Sequence, residues 1–187
     1  MNPMTVTIRP MQADDLEQVV AIDRLSFSLP WPESAFRYEL MENKHARLWV
    51  ASMTDAAGSE KIVGAVVVWI IVDQAHIATL AVHPEFRRMG VGQQLLIAVL
   101  QDALLSGMAT ATLEVRRGNL AAQALYRKFG FEVVGYRPRY YKDNQEDALI
   151  MTVELQHVSA DRLLGGSGSG SPTCTQHEPL TERRDRV

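Results

Sequence analysis

Two rhythms of apolar residues run through most of this chain, one of period two and one of period three to four, and they alternate along it. Thr5–Arg9 alternates as a short strand, after which Asp14 and Glu17 frame a helix start, with Asp14 in the role of a capping-box cap. Leu16, Val19, Val20 and Ile22 give that helix its stripe, through about Leu25. Pro30-Trp31-Pro32 breaks the chain, and Glu33–Met41 predicts a second short helix with Phe36 and Leu40 on one face. Leu48–Met53 and Lys61–Val72 predict strands around a polar turn holding Asp55 and Gly58, and His76–Val82 a further strand closed by His83-Pro84. The clearest helix is Val91–Ser106, where Val91, Leu95, Leu96, Val99, Leu100, Ala103 and Leu104 recur at intervals of three and four before Gly107 stops it. Thr110–Val115 alternates again, Asn119 caps a helix over Leu120–Phe129 that Gly130 ends, and Phe131–Gly135 and Ala148–Leu155 supply two last strands. The order β, α, α, β, β, β, α, β, α, β, β predicts an α/β protein, a mixed sheet covered by helices.

From Gly165 the pattern stops. Gly165–Ser171 has flexible-linker composition, and the rest to Val187 holds little that could build a core. The expected division is therefore a domain over 5–157 and a flexible Gly/Ser-containing tail over 158–187. The 187 residues suit one domain with a full core, and 47% apolar with 22% charged residues is the balance of a soluble globular protein. The longest apolar run, Ile62–Val72, falls far short of the roughly 20 residues of a membrane helix. The N-terminus lacks a basic-then-apolar signal pattern, and the single cysteine, Cys174, can form no internal disulfide, so a cytoplasmic setting is expected. A net charge of −3 argues against a nucleic-acid binder. His76, His83 and His157 are scattered without metal-ligand spacing, so no metal is expected.

Chemistry concentrates in residues 87–131. Arg87-Arg88-Met89-Gly90-Val91-Gly92-Gln93 runs straight into the long helix, and a glycine-spaced turn there offers backbone N–H groups and a helix dipole to an anion such as a phosphate. Glu114 shares its strand face with Thr110 and Thr112, while Ala111, Leu113 and Val115 occupy the other face. Tyr126 stands on the following helix. If Gly130 is the C′ glycine, Tyr126 and Phe131 are the pair that meet in a Schellman cap, so the ring has a structural use beside any chemical one. Tyr140 and Tyr141 are adjacent on a strand and are expected to point to opposite faces.

Taken together, Arg87–Gly92, Leu113-Glu114-Val115-Arg116 with Asn119, Ala124-Leu125-Tyr126 with Gly130-Phe131, and Tyr140-Tyr141 with Glu146-Asp147-Ala148 and Met151 resemble the GNAT superfamily of N-acetyltransferases. Within it they are most similar to the bacterial RimI type, the ribosomal-protein-alanine N-acetyltransferases. The resemblance covers roughly Thr5 to His157; the tail is the departure from it. It implies a twisted mixed sheet of about seven strands, splayed at a cleft for acetyl-CoA. It further implies a backbone contact from Leu80, Ala81 and Val82 to the pantetheine arm, pyrophosphate on Arg87–Gln93, and a contact from Asn119 to the same co-substrate. Glu114 would accept the proton of the acceptor amine and Tyr126 would protonate the departing thiolate, while Tyr140 and Tyr141 would close over an acceptor peptide. The implied partner is a protein N-terminus, the N-terminal alanine of a small-subunit ribosomal protein; the sequence does not give the oligomeric state, a monomer being the expectation. A small-molecule amine such as a polyamine or aminoglycoside, or acyl-CoA binding without turnover, are the rival readings. The first has no need of a peptide-clamping hairpin, and the second no need of both Glu114 and Tyr126.

Overall fold

A computed structural model describes residues 5–54 and 58–164. Its order is β1 Val6–Pro10, α1 Leu16–Ser26, α2 Glu33–Met41, β2 Ala46–Thr54, β3 Glu60–Ile71, β4 Gln74–Val82, α3 Val91–Leu105, β5 Thr110–Arg116, α4 Leu120–Lys128, β6 Glu132–Tyr141, β7 Glu146–Glu154 and α5 Ala160–Leu163. The seven strands form one sheet in the order β1-β2-β3-β4-β5-β7-β6, antiparallel throughout except for the central parallel pair β4–β5. Each face carries its own core. On one, α1 and α2 seal Leu16, Val19, Ile22 and Phe36 against Leu48, Val50, Ala65 and Val67. On the other, Leu95, Leu96, Val99 and Leu100 of α3, with Tyr126 of α4, cover Val66, Ile77, Leu113 and Met151. Alternation along each strand feeds both cores, which is why β3 reads as a continuous apolar run.

Several local expectations shift. The first helix is not capped by Asp14 and Glu17: the reciprocal box is formed by Gln12 and Asp15 around a short 3₁₀ turn. Asp15 is buried because Arg9 grips both of its oxygens, at 2.7 and 2.8 Å, and this holds its carboxyl below the ordinary range. β6 does not end at Gly135 but runs on to Tyr141 as an edge strand, where Pro138 is tolerated. The folded region also continues past 157. Val158 is buried in the α3-side core, and α5 docks on α3 through a Gln101 Nε2 bond to the Leu163 carbonyl at 3.0 Å, so 158–164 belong to the domain. The Gly/Ser segment from 165, like Asp55 of the β2–β3 turn, lies outside the described residues.

Candidate active site

The sheet parts in its middle. β4 and β5 pair only from Gln74–Ile77 against Thr110–Leu113, although β4 continues to Val82 and β5 to Arg116. A register shift in β4, between the partners Ile77 and Thr79, bends the strand at the point where the two separate. Beyond it His83 N–H bonds the Val63 carbonyl across β3. By alternation the amide groups of Ala81 also face β3, while those of Leu80 and Val82 turn into the fork. The same alternation on β5, set by Arg117 N–H on the Asp147 carbonyl, turns Glu114 and Arg116 toward β4. Two side chains occupy carbonyls on the banks of this fork. Arg87 Nε bonds the Val82 carbonyl at 3.1 Å, and buried Gln123 bonds the Arg116 carbonyl at 3.2 Å and that of Arg117 at 2.8 Å.

At the mouth of the fork stands the head of α3. Its first helical bond runs from Gln94 N–H to the Gly90 carbonyl, which leaves the N–H groups of Val91, Gly92 and Gln93 without helical acceptors. Gly90 caps the helix at φ +83 with nothing within 4 Å of where a Cβ would lie, and Arg88 also has positive φ, at +66. Such a turn gathers backbone donors around an open concavity suited to an anion. Arg88 and Met89 are exposed beside it, and Arg87 reaches Ser26 as well as Val82. Asn119 caps α4 through a bond from Ala122 N–H at 3.1 Å.

Glu114 lies at the apex of the fork on the α1–α2 face, its side chain only 12% exposed. Arg137 Nε sits 3.0 Å from one of its oxygens and His76 Nε2 3.2 Å from the other. The imidazole stacks on Trp69 at 5.6 Å and 12°, Trp69 stacks on Trp31, and Trp31 packs on Phe36. Asp23 anchors that tier: its buried carboxylate accepts the Trp31 N–H at 2.7 Å, and burial raises its pKa. Tyr126 approaches from the opposite face. Its carbonyl accepts Phe131 N–H at 3.2 Å, Gly130 N–H bonds Arg127, and the two rings lie 5.8 Å apart, so the Schellman cap is present as the sequence suggests. Burial, reinforced by neighbouring Tyr141, pushes the Tyr126 phenol up to about 12.

Tyr140 and Tyr141 depart from expectation. An irregularity between Arg137 and Tyr141, with Arg139 at φ +50, breaks the pleat, so the rings meet edge to face at 5.2 Å instead of pointing apart. Arg137 reaches toward Tyr140 and Arg116 lies 3.8 Å over Tyr141, whose phenol burial also pushes up to about 12. Arg116 ties the β6–β7 turn down by bonding Asp143, Asn144 and Glu146, and it reaches across to Ser28 between α1 and α2, which itself bonds Asp143. Glu146 completes the closure by accepting Gly118 N–H at 2.6 Å.

Sequence reasoning missed His76, Arg137 and Arg116. The available signal was parity: Gln74 and His76 fall on the polar face of β4 as Thr110, Thr112 and Glu114 fall on that of β5, and a parallel β4–β5 pair merges the two faces. Among the described residues no group of three or more His, Cys, Asp or Glu could hold a metal ion, and no helix is long and apolar enough to cross a membrane.

The geometry has clear counterparts among known proteins. A Bacillus subtilis protein, provisionally named as a ribosomal protein bS18-alanine N-acetyltransferase, is 36% identical over 148 residues, 79% of this chain and 95% of its own. The ribosomal protein bS18-alanine N-acetyltransferase of Escherichia coli is 31% identical over 151 residues, 80% of this chain and 97% of its own. The crystal structure of the Escherichia coli enzyme superimposes with a TM-score of 0.71 at 29% identity, covering 81% of this chain and 94% of that one. The fold is also that of Arabidopsis thaliana NAA60 in complex with acetyl-CoA, at a TM-score of 0.71 and 20% identity over 81% and 99% of the two chains. The sequence model of the acetyltransferase (GNAT) family matches residues 16–131, a span that holds the fork, the glycine turn, Glu114 and Tyr126, and the chain belongs to that family.

Proposed function

We propose that this protein transfers an acetyl group from acetyl-CoA to the N-terminal α-amine of a protein, and that its acceptor is the N-terminal alanine of a small-subunit ribosomal protein. One observation carries the reading: the central parallel pair is split, and an ionisable carboxylate sits at the apex of the split. The acceptor follows from the names of the relatives that match along nearly their whole length.

The residues fit the co-substrate. The amide groups of Leu80 and the N–H of Val82 offer an extended amide-bearing arm the pairing that β5 withholds, and the open turn at Arg88–Gln93 offers its donors to a pyrophosphate. Ala81 contributes its small side chain to the core and its backbone to β3, so the pairing role narrows to its two neighbours. Acetyl-CoA supplies an acyl group on a thioester. Glu114 takes a proton from the acceptor ammonium, an α-amine of ordinary pKa about 8, which leaves the nitrogen lone pair free to attack the thioester carbonyl. The outward N–H groups of β4 stabilise the oxyanion that forms. Tyr126, protonated throughout the physiological range, donates its phenolic hydrogen to the sulfur as the carbon–sulfur bond breaks, and the second proton that the nitrogen sheds as the amide forms restores the phenol. Tyr140 and Tyr141, held by Arg137 and Arg116, line the side from which a peptide would enter.

Glu114→Gln tests the reading, because it keeps size and hydrogen bonding and removes basicity. Thiol release from acetyl-CoA is measured across pH with peptides that differ only in their first residue, beside free polyamines and aminoglycosides. The expected result is activity on alanine-first peptides, a strong loss in the variant near neutral pH, and partial recovery at high pH where more amine is already free. A variant profile that superimposes on wild type removes Glu114 as the base, and turnover of polyamines alone removes the peptide acceptor.

A further inference from the structure

Both oxygens of Glu114 are engaged, but by groups that differ in one chemical respect. The guanidinium of Arg137 donates and cannot take up a proton, so it orients the carboxylate without being able to unload it. An imidazole nitrogen donates in one tautomer and accepts in the other. A carboxylate that has collected a proton from an amine becomes a donor in need of an acceptor, and His76 Nε2, at 3.2 Å, is placed to be one. The order in space is also suitable. His76 stands opposite Thr112 in the stretch where β4 and β5 are still paired, and Glu114 lies one pleat further on, at the apex of the fork. The carboxylate therefore stands between the fork and the imidazole. The ring is fixed by Trp69, whose indole N–H bonds Glu39 of α2 at 3.0 Å and whose own ring stacks on Trp31. The charged and titratable groups around the pair are Arg137 of β6, Glu39 behind Trp69, and Tyr141 at the end of β6, which lies close enough to feel the Glu114 charge.

We propose that His76 is the positioning and proton-relay residue of the transfer, passing to solvent the proton that Glu114 collects; the proposal rests on the reading of Glu114 as the base. The ammonium N–H bond breaks as an O–H bond forms on Glu114. That O–H then breaks as Nε2–H forms on the Nδ1–H tautomer, the imidazolium gives its Nδ1 proton to water, and proton exchange with water returns the ring to its starting tautomer, the side chain being 18% exposed. The carboxylate is regenerated with no change of oxidation state.

The test compares wild type with His76→Gln, His76→Phe, His76→Ala, Glu114→Gln and the double variant H76Q/E114Q. Phenylalanine keeps a ring on Trp69 and removes both nitrogens, so it stands in if the glutamine variant fails to fold. The expected result is unchanged acetyl-CoA affinity and KM for peptide, with kcat about ten- to a hundredfold lower in His76→Gln and His76→Phe. Added imidazole should partly restore His76→Ala, more at pH 8 than at pH 6 because only the free base accepts a proton. In the Glu114→Gln background the His76→Gln change should add little. Wild-type kcat in His76→Gln and His76→Phe beside an impaired Glu114→Gln overturns the relay and leaves Glu114 in place. Additive losses, or a loss that imidazole does not restore and that follows a lowered melting temperature, also overturn it. An unimpaired Glu114→Gln removes the base reading itself.

Discussion

Tyr126 has two occupations that a single atom separates. Its carbonyl and ring close the end of α4 on Phe131, and only its hydroxyl is left for chemistry. Tyr126→Phe should therefore melt near wild type while turnover falls by ~10²-fold or more, the scale of losing a general acid; full activity would reduce the residue to packing. The cap was legible in the sequence because every part of it lies within six residues. The setting of Glu114 was not, because its partners arrive from β4 and β6 and nothing local to Glu114 names them. In the sequence His76 is one of several scattered histidines, and only the β4–β5 register brings it beside the carboxylate.

At the scale of elements, helices announced themselves best. Glu33–Met41 ends where Pro32 and the last stripe residue place it, and α3 stops before Gly107, since capping chemistry and a 3.6-residue period are both local. β6 outruns its sequence pattern for the converse reason. Gly135, Arg137, Pro138 and Arg139 carry no apolar alternation, and an edge strand with an open face needs none. The head of α3 gives the test that belongs to this scale. Gly90→Glu places a strained side chain and a negative charge where the open donors converge, and the expected result is a large loss of acetyl-CoA affinity by calorimetry with the melting temperature little changed. Unchanged affinity would move the anion elsewhere.

For the whole molecule, packing carries the domain past His157 to Leu164. Truncation after Leu164 should leave melting and activity intact. Truncation after His157 removes Val158 from the core and α5 from α3, at a cost of about 2 kcal/mol that thermal unfolding would register. Loss of activity in the longer fragment would place a working part of the protein beyond 164. The sequence marks the change of composition at Gly165 but not the packing of Val158–Leu164, a segment too short to carry a period. The fork has a consequence of its own. Two parallel strands with free amides facing one another would ordinarily zip together, and here Arg87 and Gln123 each hold one bank by a carbonyl. They act as wedges, each occupying a carbonyl that a closed ladder between the two strands would need. Each wedge disfavours zipping of the fork and so lowers the ordering cost of seating an extended arm between the strands.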